Sequence, residues 1–127
     1  MRIDHVAVWT NDLERLKEFY VQFFDARAGQ QYVNPCKAFA SYFLSFGSGA
    51  RLEIMHRPSL GEPVADGSRT GVSHIAFSLG SGEQVDLLTE QLQSAGMMVV
   101  DGPRWTGDGC YESVVLDPDG NRIELTA

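Results

Sequence analysis

Arg122-Ile123-Glu124-Leu125, behind the turn Asp117-Pro118-Asp119-Gly120-Asn121, has a near copy earlier in the chain, Arg51-Leu52-Glu53-Ile54. The arginines lie 71 residues apart (122 − 51), the glutamates 71 (124 − 53), and the glycines of the preceding turns, Gly49 and Gly120, also 71 (120 − 49). A second echo, His5-Val6-Ala7-Val8 and His74-Ile75-Ala76-Phe77, recurs after 69 residues (74 − 5). Two copies are too few for a solenoid. They describe two similar halves, each opening on a histidine strand and finishing on a glutamate strand.

The rest of the chain fits that frame. Alternation around Val6 and Val8 predicts a strand over residues 2–9. Asn11 with Glu14 reads as a capping box, and Leu13, Leu16, Phe19, Tyr20, Phe23 and Phe24 mark an apolar helix face ending near Asp25. Residues 26–37 are weakly patterned, with a short strand expected over 30–33 before the Asn34-Pro35 turn. The apolar run 39–46, the Gly47-Ser48-Gly49 turn and residues 51–56 make a hairpin. In the second half a strand is expected over 74–79, and Ser81 with Gln84 starts a helix. Its face is Val85, Leu88, Leu92 and Ala95, and Gly96 closes it. A short strand over 97–100, a loop over 101–109 carrying Arg104 and Trp105, and a hairpin of 111–116 with 122–126 complete the order.

Between the halves, residues 58–71 turn to Pro, Gly, Ser and charge without a period, as a linker or lid does. The expected fold is therefore α+β: a single domain over 1–127, built of pseudo-symmetric βαβββ modules at about 1–57 and 72–127. Helices should cover one sheet face and leave the other to curve around a ligand. A half of about sixty residues buries little apolar surface alone, so the halves should pack together or against another chain.

Ten basic against seventeen acidic residues, a net charge of −7, argue against nucleic acid, whose phosphates need clustered Lys and Arg. Cys36 and Cys110 have no metal-type spacing and read as reduced thiols. The first strand is entered by Ile3, which leaves no room for a signal peptide, and no apolar run approaches ~18 residues. A cytoplasmic protein without a membrane span is the expectation.

Strand alternation decides which side chains share a face. His5 opposes Val6 and Val8, His74 opposes Ile75 and Phe77, Glu53 opposes Leu52 and Ile54, and Glu124 opposes Ile123 and Leu125. With the apolar faces on the helices, all four ionisable groups point the other way. Any one of them alone would be an ordinary solvated polar residue. Two carboxylates and two imidazoles drawn together need a shared cation, because like charges otherwise drive one carboxyl pKa up. Imidazole with carboxylate suits zinc, nickel, iron, cobalt or manganese. Arg57, Arg104 and His56 are candidates for an anionic substrate, Trp9, Met55 and Tyr111 for lining, and Trp105 for a loop contact. Cys110 has no paired base in sequence and reads as a structural thiol.

On these residues the chain resembles the vicinal oxygen chelate superfamily, and within it the glyoxalase I-like proteins. The matching stretches are His5-Val-Ala-Val, Asp12-Leu-Glu-Arg-Leu-Lys-Glu-Phe-Tyr20, Arg51-Leu-Glu-Ile, Gly71-Val-Ser-His-Ile-Ala-Phe77 and Asp117-Pro-Asp-Gly-Asn-Arg-Ile-Glu-Leu125. The resemblance implies paired modules forming a cup around a divalent metal, nickel or zinc first, held by His5, Glu53, His74 and Glu124. It implies a lyase or isomerase of small α-oxo or hemithioacetal compounds, working through an enediolate, with Glu124 as proton carrier and Glu53 as its counterpart. It also implies a homodimer, with modules pairing inside one chain or between two. Glutathione is not carried over: Val8-Trp9-Thr10 and Met55-His56-Arg57 stand where glutathione-using members usually have an Arg and an Asn. Other branches of the superfamily keep open a His/His/Glu dioxygenase or thiol transferase, and a non-catalytic, drug-sequestering member.

Overall fold

The computed structural model describes residues 1–61 and 70–127, so most of the expected linker lies outside the described residues. The chain divides into two compact units, Met1–Glu62 and Pro63–Ala127. The first contains β1 (His5–Trp9), α1 (Leu13–Phe24), β2 (Arg27–Ala28), β3 (Tyr32–Asn34), a 3-10 turn at Pro35–Lys37, β4 (Phe39–Ser45) and β5 (Arg51–His56). The second contains β6 (Ile75–Ser78), α2 (Gly82–Ser94), β7 (Val99–Trp105), β8 (Tyr111–Leu116) and β9 (Arg122–Thr126). The fold is α+β, two modules of the βαβββ kind.

Both sheets share one plan. The first runs β1-β5-β4-β2 with β3 also on β4, and the second runs β6-β9-β8-β7. In each, the opening strand lies parallel to the closing strand, and the other pairs are antiparallel. The histidine strand is therefore the direct neighbour of the glutamate strand in both units. One sheet face carries the helix. Leu13, Leu16, Phe19 and Tyr20 of α1 are buried with Leu44, Leu52 and Ile54, and Val85 and Leu92 of α2 with Val115, Ile123 and Leu125. Burial of such side chains, at about 1.5–3 kcal/mol each, fixes the opposite parity for Glu53 and Glu124.

Several expected boundaries shift, each for a local reason. Pairing begins at His5, so Arg2, Ile3 and Asp4 precede the strand expected over 2–9. The N-cap of α1 is Asp12, not Asn11: its Oδ1 accepts from Arg15 N at 3.0 Å. Thr10 N still donates to Met55 O at 2.8 Å, which extends the ladder and delays the helix. Ser81 caps α2 as expected, accepting from Gln84 N at 3.3 Å. The weak 26–37 stretch holds two short strands, β2 and β3, both on the edge of β4.

The largest departure is the loop expected over 101–109. Strand β7 runs on to Trp105, with register shifts between Val99 and Asp101 and between Asp101 and Arg104. Those bulges break the period of two that would have announced a strand. Gly102 makes the crossing possible at φ +80°, and a Cβ there would lie 2.5 Å from Glu112 O and 2.9 Å from Ser113 Cα. Gly102→Ala is expected to destabilise the protein by about 2–4 kcal/mol, from left-handed strain plus a backbone clash. Urea unfolding reads the effect, and an unchanged midpoint would refute this role for Gly102.

The closing turn is held by a buried carboxylate. Asp117, 4% exposed, accepts through Oδ1 from Asp119 N and Asn121 N, both at 2.9 Å, and through Oδ2 from Asn121 Nδ2 at 2.8 Å. Gly120 N donates to Asp117 O at 2.9 Å with φ +81° at the glycine, so the whole Asp-Pro-Asp-Gly-Asn stretch is one hydrogen-bonded knot. It fixes where β9 starts, and hence where Glu124 falls. Asp117→Ala strands three donors and is expected to cost about 2–3 kcal/mol by the same urea measurement.

Candidate metal centre

Backbone register builds the same side-chain pair twice. In the first unit Ala7 lies opposite Glu53, so His5 sits two residues upstream of the glutamate's partner. In the second, Ala76 lies opposite Glu124, and His74 is again two residues upstream. His5 Nε2 is 3.8 Å from Glu53 Oε2, and His74 Nε2 is 3.4 Å from Glu124 Oε2. The environments match as well: the histidine side chains are 40% and 41% exposed, the glutamate side chains 16% and 18%. The structure thus brings the four predicted residues together as two pairs, one per unit. Among the described residues no group of three or more His, Cys, Asp or Glu is gathered in metal-holding geometry.

The pairs suit a cation. With metal–ligand bonds of about 2.1 Å, two ligand atoms on one ion stand roughly 3.0–3.4 Å apart between octahedral and tetrahedral angles. The second pair has that bite, and the first is slightly wider. Both separations are too long for a good hydrogen bond, so neither carboxylate is tied up by its histidine.

Around the first pair the sheet face is aromatic and basic. Phe43 lies opposite Glu53, meets the His5 ring edge-on at 5.3 Å, and carries the Arg51 guanidinium over its own ring at 4.3 Å. Arg51 Nη2 donates to Asp4 Oδ2 at 2.6 Å, and His5 Nδ1 stands 3.0 Å from that oxygen. These two hydrogen bonds, His5 first and then Arg51, hold the Asp4 carboxyl below its ordinary value. Farther along, Trp9 lies opposite Met55, packs against Phe39 at 6.1 Å, and has the Arg57 guanidinium over its ring at 4.6 Å. Trp9 and Met55, two of the predicted substrate contacts, share the face of Glu53, with Arg57 stacked on Trp9.

The second unit treats its candidates differently. Arg104 lies opposite Glu112, which shares the parity of Glu124. Its guanidinium is already engaged: Nε donates to Asp101 at 2.8 Å, and Glu112 stands 3.7 Å away. An anion would have to displace those carboxylates. Trp105 and Tyr111 lie opposite each other on the parity of Leu125 and Ile123, the helix side. Tyr111 donates to Asp86 of α2 at 2.7 Å, and with Trp105, Gly82 and Ala127 it lines a cavity of about 290 Å³. Register separates these two predicted contacts from Glu124. His56 also leaves the site: its Nδ1 is 2.9 Å from Thr10 O. Cys36 and Cys110 are free and exposed.

Asp4, Phe43 and Phe39 are neighbours of these side chains that the sequence did not single out. Phe43 and Phe39 fall in the apolar run 39–46, and only the register with β5 shows their side. Asp4 sits just before the paired strand, and the alternation expected over 2–9 puts it on the side of Val6 and Val8, away from His5.

The sequence pattern of the Glyoxalase/Bleomycin resistance protein/Dioxygenase superfamily matches residues 2–125. The chain belongs to that superfamily. Within it, an uncharacterised Bacillus subtilis protein, YqjT, is 27% identical over 130 residues, covering 97% of this chain and 96% of its own. The Arabidopsis thaliana lactoylglutathione lyase GLX1 is 29% identical over 128 residues, covering 98% of this chain and 43% of its own. The chain thus spans under half of that lyase. A solved glyoxylase/bleomycin resistance protein/dioxygenase domain from Frankia sp. EAN1pec superposes with a TM-score of 0.85 at 19% identity, covering 99% of this chain and 96% of its own. The superfamily fold is shared across the full length. Among the described residues no helix is long and apolar enough to cross a membrane.

Proposed function

We propose that the protein is a metal-dependent lyase or isomerase of the glyoxalase I kind, acting on a small α-oxo or hemithioacetal substrate. One divalent ion, nickel or zinc first, would be held by His5, Glu53, His74 and Glu124, with the protein working as a homodimer. The observation that carries this reading is the duplicated His–Glu pair, set by the same diagonal of register and equally half-buried in both units. Bound there, the ion supplies Lewis-acid stabilisation of the negative charge that builds on two neighbouring substrate oxygens.

The residues of the chain do the rest. Glu124 takes a proton from one substrate carbon and returns it to the adjacent one, as a carboxylate half-shielded from water can. Glu53 stands in the mirrored position. Trp9 and Met55 bound the substrate on the His5 side, and the Arg57 guanidinium over Trp9 suits a negatively charged end. A His/His/Glu site would leave Glu53 idle, and its match to Glu124 in burial and register favours four ligands. The intact set also argues against a purely sequestering role.

A panel of thiols mixed with methylglyoxal tests the reading. The metal-loaded protein is expected to form a hydroxyacyl thioester with at least one of them. No thioester from any thiol would remove the glyoxalase-type chemistry.

A further inference from the structure

Beyond the four candidate ligands, one carboxylate has a geometry that orients rather than binds. We propose that Asp4 is a positioning residue for His5, fixing which ring nitrogen carries the proton; the inference rests on the metal reading above. Asp4 Oδ2 lies 3.0 Å from His5 Nδ1, the nitrogen that faces away from Glu53. A carboxylate there demands a proton on Nδ1, and in a neutral imidazole that leaves Nε2 with its lone pair. Nε2 is the atom 3.8 Å from Glu53 Oε2. Carboxylates on the far nitrogen of metal-binding histidines serve this purpose generally.

Asp4 is itself held. Arg51 Nη2 donates to the same Oδ2 at 2.6 Å, and Arg51 N donates to Asp4 O at 3.0 Å. The Arg51 guanidinium lies over Phe43 at 4.3 Å, and Phe43 meets the His5 ring edge-on at 5.3 Å. Asp4, His5, Arg51 and Phe43 thus close a loop of contacts, which gives Arg51 a purpose its place in the repeat did not explain. Among the described residues the second unit shows no counterpart. Ser73 precedes His74, and among the described residues no carboxylate stands on His74 Nδ1. The two half-sites, matched in backbone register and in side-chain exposure, differ here.

The Asp4 side chain is 57% exposed, so removing it opens no cavity and exposes no core. The test uses the full chain without metal, at a pH near 8.5, about two units above the ordinary imidazole value. Long-range proton–nitrogen correlation spectra then report the tautomer of each histidine. The wild type is expected to show His5 protonated on Nδ1. Asp4→Ala is expected to move that proton to Nε2 and leave His74 unchanged. Asp4→Asn, whose carbonyl oxygen still accepts, should keep the wild-type tautomer. Titrated with nickel ion alone, Asp4→Ala should bind about 10–100-fold more weakly than wild type, with Asp4→Asn in between. A wild-type His5 protonated on Nε2, or an unchanged His5 tautomer in Asp4→Ala, overturns the proposal. Because the tautomer is read without metal, an Nδ1-protonated His5 that Asp4→Ala reverses, in a protein that binds no nickel, upholds the role of Asp4 and refutes the metal reading instead.

Discussion

Glu124→Gln is expected to lower turnover by about 10²–10⁴-fold while most of the bound metal is retained. The substitution keeps an oxygen beside His74 Nε2, where Glu124 Oε2 stands 3.4 Å away, and changes shape very little. What it removes is the ability to accept a proton and hand it back. The buried parity set by Ile123 and Leu125 is untouched, so unfolding should not obscure the result. Turnover of the metal-loaded variant, measured beside its metal content, reads both halves of the claim. Normal turnover would refute the proton-carrying role, and loss of metal along with turnover would make Glu124 a ligand alone.

Removing the metal is expected to bring turnover to the uncatalysed background, and adding nickel or zinc back should restore it. The four groups proposed to hold the ion are two imidazoles and two carboxylates, and none of them alone offsets charge building on two substrate oxygens. Loading should also raise the unfolding midpoint, because a ligand bound only by the folded state stabilises it, by about 2.7 kcal/mol at a hundred times its Kd. Full turnover after chelation, in protein shown by metal analysis to be empty, would refute the Lewis-acid reading.

The repeat and the parity of four strands were legible because both are written in short-range pattern. Leu52, Ile54, Ile123 and Leu125 are buried, and Val6 and Val8 are less exposed than their strand neighbours, which places His5, Glu53 and Glu124 on the other side. Register between strands is not written that way. It decides that Phe43 faces the same side as Glu53, and that Tyr111 and Trp105 turn to the helix side rather than toward Glu124. The bulge at Gly102 hid the second half of β7, because a strand with shifted register has no constant period. Strands β2 and β3, two and three residues long, are too short to show any period. Asp117 was visible only as part of a turn motif; its burial and its three donors explain why the turn needs an acid at that position.

Service of one ion by residues from both units is what the proposed function requires. Nickel titration of the wild type and of His5→Ala, Glu53→Ala, His74→Ala and Glu124→Ala measures this directly. The expected result is one class of site in the wild type, weakened about 100-fold or more by each of the four substitutions, since losing a ligand should cost at least as much as losing a partner of one. Substitutions that matter in one unit and leave binding intact in the other would contradict it.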